Sequence, residues 1–257
     1  MKYISSSFNI IFISFMFFAH NKLKADTTPY ENIKLFTTDR ARPYVIIQND
    51  QLEGILGEFL KNSTKGIIKN FEIYNLPWKR AQVEVHKYKN ALIIPLAKTP
   101  LREKQYKWLI RVFDDPICFF TIKPNPKIKS RNDLLKLDSK LNTIGLLKGS
   151  TTEEYIKKFN LTNINIAYST DYDFLAQKLY HNRINALFSG TSVIKYYWKL
   201  NKFDENLLQC GKVFYKNEEF VGAMLESDDD FIRKIKIEMD KYKKTNEYKL
   251  LLKKYGL

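Results

Sequence analysis

An α/β fold of two lobes is what the sequence predicts, and three observations predict it. Short apolar segments of strand length alternate with segments of helical periodicity from residue 33 onward; the alternation runs twice; and no Gly/Ser-rich linker separates the two runs. A chain of 257 residues, 44% hydrophobic and 14% aromatic, can bury one large core or two modest ones. That excludes a disordered tail and a minimal peptide module.

In the first run, residues 33–37 alternate like a strand, and residues 44–47 form a short apolar segment after Pro43. Asn49-Asp50 marks a turn. Ile55, Leu56, Phe59 and Leu60 recur at helical spacing and predict a helix that stops near Gly66. A strand at 71–74, a helix from Pro77 to about residue 88 and a buried strand at 91–94 complete the run. The second run reads as strand 117–122, helix 130–137, strand 142–146, helix 151–159, strand 164–168, helix 170–180 and strand 184–188. Two Lys-rich helices, 231–244 and 246–255, close the chain. Ile232, Ile235, Met239 and Tyr242 form an apolar stripe on the first of them.

The charge is strongly basic, 43 Lys plus Arg against 28 Asp plus Glu, for a net +15. Only eight of these cations are Arg; the rest are hydrated Lys, poorly suited to forked recognition of bases or phosphates. With no zinc-finger spacing, basic-region heptad or RNP-like strand, nucleic acid is not an expected partner. The excess reads as a solvated Lys-rich surface.

Residues 1–25 read as an export signal. Lys2 supplies the positive start and residues 8–19 an apolar core of about 12 residues, too short for a bilayer span of roughly 20. Cleavage after Ala25 is the first expectation and after Ala19 the second, with an uncleaved N-terminal anchor as the alternative. Export permits disulfides, and Cys118 and Cys210 fall in the same expected lobe. One bridge and two separate buried thiols are equal readings of that spacing.

Catalytic signatures are sparse. His86 and His181 fall on expected surface positions of helices, and HExxH, CxxC, GxSxG, Walker and GxGxxG motifs are missing from the sequence. Glu153-Glu154 and Asp228-Asp229-Asp230 sit in first helical turns, where capping explains them. No enzyme, metal or cofactor is therefore expected. Two features suit an anion instead. Lys148-Gly149-Ser150-Thr151-Thr152 links a strand to a helix, offering backbone N–H groups and hydroxyls. Arg102 lies just past the strand at 91–94, where α/β sheets bind ligands and where a guanidinium can fork onto a carboxylate.

These motifs together resemble the bacterial family 3 extracytoplasmic solute-binding proteins, the polar-amino-acid-binding components of ABC transporters. The resemblance covers residues 30–257. It rests on Arg42-Pro43-Tyr44 with Gly54, on Pro77-Trp78-Lys79-Arg80-Ala81 leading to Asn90-Ala91-Leu92-Ile93, and on Thr99-Pro100-Leu101-Arg102 with Tyr106-Lys107-Trp108. It continues through Ile144-Gly145-Leu146-Leu147-Lys148-Gly149-Ser150-Thr151 and Asn182-Arg183-Ile184-Asn185-Ala186 to the closing helix. The resemblance implies a periplasmic-binding-protein-like fold, each lobe a mixed sheet flanked by helices, with the ligand cleft between lobes. Lobe 1 would be residues 30–116 plus 221–257 and lobe 2 residues 117–220, the chain crossing near Pro116 and returning near Phe220. It further implies a periplasmic monomer that hands a small-molecule ligand to a membrane permease.

By the same resemblance, Arg102 would hold a ligand carboxylate, Ser150 and Thr151 would donate to it from the other lobe, and Tyr44, Trp78 and Phe188 would wall the cleft. Where amino-acid binders of the family carry an acid for the ligand ammonium, this chain has Gly190, and Asn185 replaces the Asp of the preceding motif. Glu58, Asp39 and Asp173 are the substitutes the sequence offers. Two alternatives follow from relatives of the fold: an enzyme like cyclohexadienyl dehydratase, with Glu58 or Glu153 as acid, and an orphan ligand sensor.

Overall fold

The computed structural model describes residues 30–136, 142–162 and 164–257. The export-signal expectation, residues 1–25, lies outside them. In chain order the first elements are β1 (Tyr30–Thr37), a small hairpin of β2 (Ile46–Gln48) and β3 (Gln51–Glu53), α1 (Ile55–Thr64), β4 (Ile68–Asn75), α2 (Trp78–Glu84) and β5 (Leu92–Ala97). A long strand β6 (Tyr106–Ile122) follows, then α3 (Arg131–Leu135), β7 (Thr143–Leu147), α4 (Thr151–Ile156), β8 (Asn165–Ser169), α5 (Tyr172–Tyr180), β9 (Ala186–Gly190) and α6 (Thr191–Leu200). A second long strand, β10 (Leu208–Met224), and helices α7 (Asp229–Lys243) and α8 (Asn246–Lys254) complete the chain.

The mixed eight-stranded sheet has the order β4-β1-β5-β10-β6-β9-β7-β8. Its two flanks are built alike. β4-β1-β5 and β8-β7-β9 each place the first strand of a run between the second and third, all parallel. Between them β6 and β10 form one antiparallel ribbon, with Lys216 opposite Pro116 and Asn217 opposite Asp115. β5 joins β10 from Glu219 onward, and β9 joins β6 from Ile117 onward. Around Pro116 and Lys216 the ribbon therefore runs with neither flank beside it.

Local chemistry explains the elements. β5 is buried on both faces, as a central parallel strand must be. It tolerates Pro95 because β1 pairs only with its Leu92 and Ile93, and the ladder to β10 is irregular between Phe220 and Gly222. α7 buries Phe231, Ile235 and Met239 one turn apart, while Ile232 and Tyr242 pack partly buried beside them. The bridge reading of the cysteines is the one realised: Cys118 and Cys210 are bonded across the ribbon, with Cα atoms 5.9 Å apart. Among the described residues no helix is long and apolar enough to cross a membrane.

Three features went unpredicted. These are the first half of β6, all of β10 and α6: β10 interleaves Lys212, Lys216, Glu218 and Glu219 with its apolar residues, and β6 contains Asp114-Asp115-Pro116, whereas α6 buries Val193, Ile194, Tyr197 and Trp198 at a helical spacing that went unread.

Candidate functional site

In parallel sheets ligands bind beyond the carboxyl ends of the strands, where neighbouring connections diverge. Both flanks present such ends to one cleft. From one flank come Ala41 and Tyr44 after β1, Trp78 after β4, and Pro95, Ala97 and Arg102 at and after the end of β5. From the other come Leu147 and Ser150 to Thr152 around the end of β7, Tyr172 after β8 and Gly190 closing β9; β10 adds Asn217 and Glu219 from the middle of the ribbon. The cavity they enclose is about 50 Å³. A second, of about 190 Å³, lies against Arg102, Lys79, Gln82, Gly149, Glu153 and Glu154.

Each side chain is held by its local fold. Gly54 has φ +86°, and a Cβ there would stand 2.7 Å from the Pro43 carbonyl oxygen. Its bareness lets the Pro43 and Tyr44 carbonyls accept from the first-turn amides of Ile55 and Leu56, at 2.9 and 2.8 Å. This seats Tyr44 at the cleft. Arg102 closes a turn in which its amide donates to the Thr99 carbonyl at 3.0 Å, and only 5% of the residue is exposed. Its guanidinium donates to the Gly149 carbonyl across the cleft at 3.0 Å and to Ala97 at 3.4 Å, and it pairs with Glu154 at 3.4 Å. Further contacts draw the flanks together: Gln82 donates to Gly149 at 3.5 Å, Arg40 to Thr170 at 3.3 Å, and Tyr197 to the Arg40 carbonyl at 3.0 Å.

Of the residues singled out from sequence, Arg102, Ser150, Thr151, Tyr44 and Trp78 line one cavity. Phe188 does not. It is 0% exposed, stacked on Phe119 at 4.2 Å in a separate apolar cluster, because its side chain falls on the core face of β9. The glycine turn also differs from expectation. The Gly149 amide donates to Glu153 at 2.5 Å, the Ser150 hydroxyl to the Leu147 carbonyl at 2.8 Å, and Thr151 shares a 2.8 Å hydrogen bond with the Asn217 amide.

None of the suggested substitute acids faces the cleft. Glu58 binds Lys254 and Tyr255 on the outer side of α1, Asp39 pairs with Arg42, and Asp173 holds Gln177 and Asn201. Glu153 is occupied in its own helical turn. Among the described residues two other acids, both on the ribbon, are the buried ones. Asp115 is 0% exposed and accepts from Tyr44 Oη and from the Ser192 amide and hydroxyl, the latter two at 3.0 Å. Burial raises its pKa, and these donors oppose the rise. Glu219 is 2% exposed, and among the described residues its one hydrogen-bonding side chain is Asn217. Burial, then repulsion from Asp115, push it up to about 8 against the pull of Arg102 and Asn217. Burial likewise pushes Tyr172 up to about 12 and Tyr44 well above its ordinary value. The sequence signal for these acids was charge inside apolar strands, at Asp114-Asp115-Pro116 and Asn217-Glu218-Glu219. Among the described residues no three His, Cys, Asp or Glu side chains converge as a metal site requires.

No protein-family model matches the chain, and no curated protein matches its sequence. Solved structures match its fold. An ancestral arginine-binding protein bound to arginine is 20% identical with a TM-score of 0.73, covering 88% of this chain and 98% of its own. An ancestral amino-acid-binding protein described as a precursor of cyclohexadienyl dehydratase is 20% identical with a TM-score of 0.74, covering 87% and 95%. A histidine kinase sensor domain with similarity to periplasmic binding proteins is 12% identical with a TM-score of 0.76, covering 88% and 96%. The chain shares their periplasmic-binding-protein-like fold.

Proposed function

We propose that the chain is a periplasmic solute-binding protein of the family 3 type, which captures a small amino-acid-like solute for ABC-type uptake. One observation carries the reading: Arg102, anchored behind β5 and nearly fully buried, reaches across the cleft to the opposite flank. A carboxylate placed between Arg102 and the Ser150–Thr151 turn would contact both flanks at once, a contact that exists only when they are together. Such a difference between open and closed forms is what lets a ligand drive hinge closure. In this reading residues 30–116 with 221–257 form one lobe and residues 117–220 the other, hinged on the ribbon around Pro116 and Lys216. The arginine- and amino-acid-binding character of the solved relatives supports the solute class. The protein would act as a monomer, exported by its N-terminal segment, and deliver its ligand to a membrane permease.

Thermal-shift screening against amino acids, polyamines and organic acids tests this, paired with small-angle scattering. A hit should raise Tm and compact the protein. Arg102→Ala should weaken a carboxylate-bearing hit about 100-fold, the worth of a charge-assisted forked bond in a buried site. Unchanged affinity would remove Arg102 from the site.

Glu219 favours a second reading. A buried carboxyl pushed up to about 8 is a neutral acid at pH 7, the state a general acid needs. Turnover of arogenate or prephenate that Glu219→Gln abolishes would establish an enzyme of the dehydratase kind.

A further inference from the structure

The corner of the cavity formed by Glu219, Tyr44 and Gly190 presents acceptor oxygens, and the one proton it can give up is the one that burial holds on Glu219. The Tyr44 hydroxyl spends its proton on Asp115, so the face of its oxygen left over can only accept. Asp115 is itself saturated by Tyr44 and the Ser192 amide and hydroxyl, which fixes the direction of that bond. Glu219 is buried, lines the cavity and has Asn217 as its hydrogen-bonding side chain. Gly190 lets the corner assemble, because the Asp115–Tyr44 pair packs directly over its bare Cα. A Cβ there would stand 2.1 Å from Asp115 Oδ2 and 2.8 Å from the Tyr44 hydroxyl, so no side chain fits at this position while Asp115 holds Tyr44. Among the described residues Arg102 is the single cation lining the cavity, and it is already engaged by Gly149 and Glu154.

We infer that the ligand carries a cationic nitrogen with several N–H groups, an ammonium, amidinium or guanidinium, seated on Glu219 and the Tyr44 oxygen where both line the cavity. This rests on the solute-binding reading and names its ligand class: a zwitterion or a cation, with Glu219 as the residue that selects it. A second carboxylate in this corner would find no positive charge, only the proton that Glu219 holds while neutral, and would meet like charge as Glu219 ionises. Asp115 and Arg102 face Glu219 from β6 and the turn after β5, while Tyr44, Tyr155 and Tyr172 respond to its charge from the surrounding elements. None of these supplies a full positive charge beyond Arg102. Binding of the cation therefore replaces the proton that Glu219 holds in the ligand-free site, and affinity is coupled to pH.

The test is a thermal-shift and calorimetric panel of L-amino acids and diamines set against 2-hydroxy acids and dicarboxylates of matching carbon skeleton. The expected result is stabilisation by at least one nitrogen cation and none by its hydroxy-acid counterpart. Its affinity should rise at least ~10-fold from pH 6 to pH 8 as Glu219 ionises, with proton release seen in buffers of different ionisation enthalpy. Glu219→Gln should lose at least ~10-fold at pH 8 and flatten the pH dependence. Because this variant keeps the volume of Glu219 and should melt no lower than wild type at pH 8, lost binding reads as lost charge. Equal binding by Glu219→Gln overturns the inference. Hits confined to hydroxy acids or dicarboxylates that Arg102→Ala removes overturn it too, while leaving the solute-binding reading in place. Silence across the whole panel defeats both.

Discussion

Asp115 and Glu219 lie on neighbouring strands of one ribbon, two residues out of register and equally buried, yet they live in opposite circumstances. Asp115 is met by a hydroxyl from one flank and by an amide and a hydroxyl at the start of α6 on the other. Glu219 has an amide neighbour and an open cavity. Burial raises the pKa of both, and at Asp115 hydrogen bonds from Tyr44 and Ser192 oppose the rise, where at Glu219 the opposing groups are Arg102 and Asn217. Depth alone therefore does not mark a functional acid; the count of donors around it does. Asp115 is a clasp, and Glu219 is a group held in reserve.

Removing the clasp should have the largest effect. Asp115→Ala leaves the Tyr44 hydroxyl and both Ser192 donors unpaired inside the protein, a loss on the order of 4 kcal/mol in urea unfolding. A loss below about 1 kcal/mol would dissolve the contrast between the two acids. The reserve acid comes next, and with the opposite sign. Its pKa lies above the ordinary carboxylate value of 4.5, so the folded protein holds an extra proton between pH 4.5 and about 8. Stability contributed by this group is present below that window, falls as pH rises through it, and levels off above it. Glu219→Gln should remove that slope and stabilise the protein by on the order of 3 kcal/mol at pH 8.5, less than the whole shift converts to because the Asn217 contact changes too. Parallel urea profiles for the two proteins from pH 5 to 8.5 would show that Glu219 is already ionised. The smallest effect concerns a third carboxylate. Glu154 is partly exposed and sits 3.4 Å from Arg102, where a ligand carboxylate would compete with it. Glu154→Gln should tighten a carboxylate ligand about threefold, in line with a half-screened ion pair. Weakened binding would make Glu154 part of the ligand's own contacts.

The same contrast explains what was legible in the sequence. The two flanking units were readable because their strands are apolar runs, such as Leu92 to Ile94, bounded by turn residues, and their helices carry periodic stripes. The places of Arg102, Tyr44, Trp78, Ser150 and Thr151 along one cavity were readable because each follows a strand end, the edge where parallel sheets leave room for a ligand. The ribbon was not. β6 and β10 cross from one flank to the other, so each face changes surroundings along its length and no single period survives. Asp115 and Glu219 went unseen for that reason: their burial depends on strands paired across about 100 residues of chain, a distance over which local pattern carries no information. Gly190 was noticed as a missing acid, but the carboxylate that fills its space comes from Asp115, on a different strand. Phe188 shows the converse error. Its aromatic ring suggested a wall, and strand alternation turned it into the core.

The disulfide between Cys118 and Cys210 stitches the ribbon on one side of its bare stretch, while β5 binds it on the other from Glu219 onward. Any parting of the flanks is thereby confined to the few residues around Pro116 and Lys216, within three positions of both buried acids. Bending there would admit water to Glu219, and an acid that gains water no longer favours its proton. The joint and the charge are then one device: unfolding the elbow arms the site for a cation, and a cation's arrival lets the elbow shut without the proton it shed.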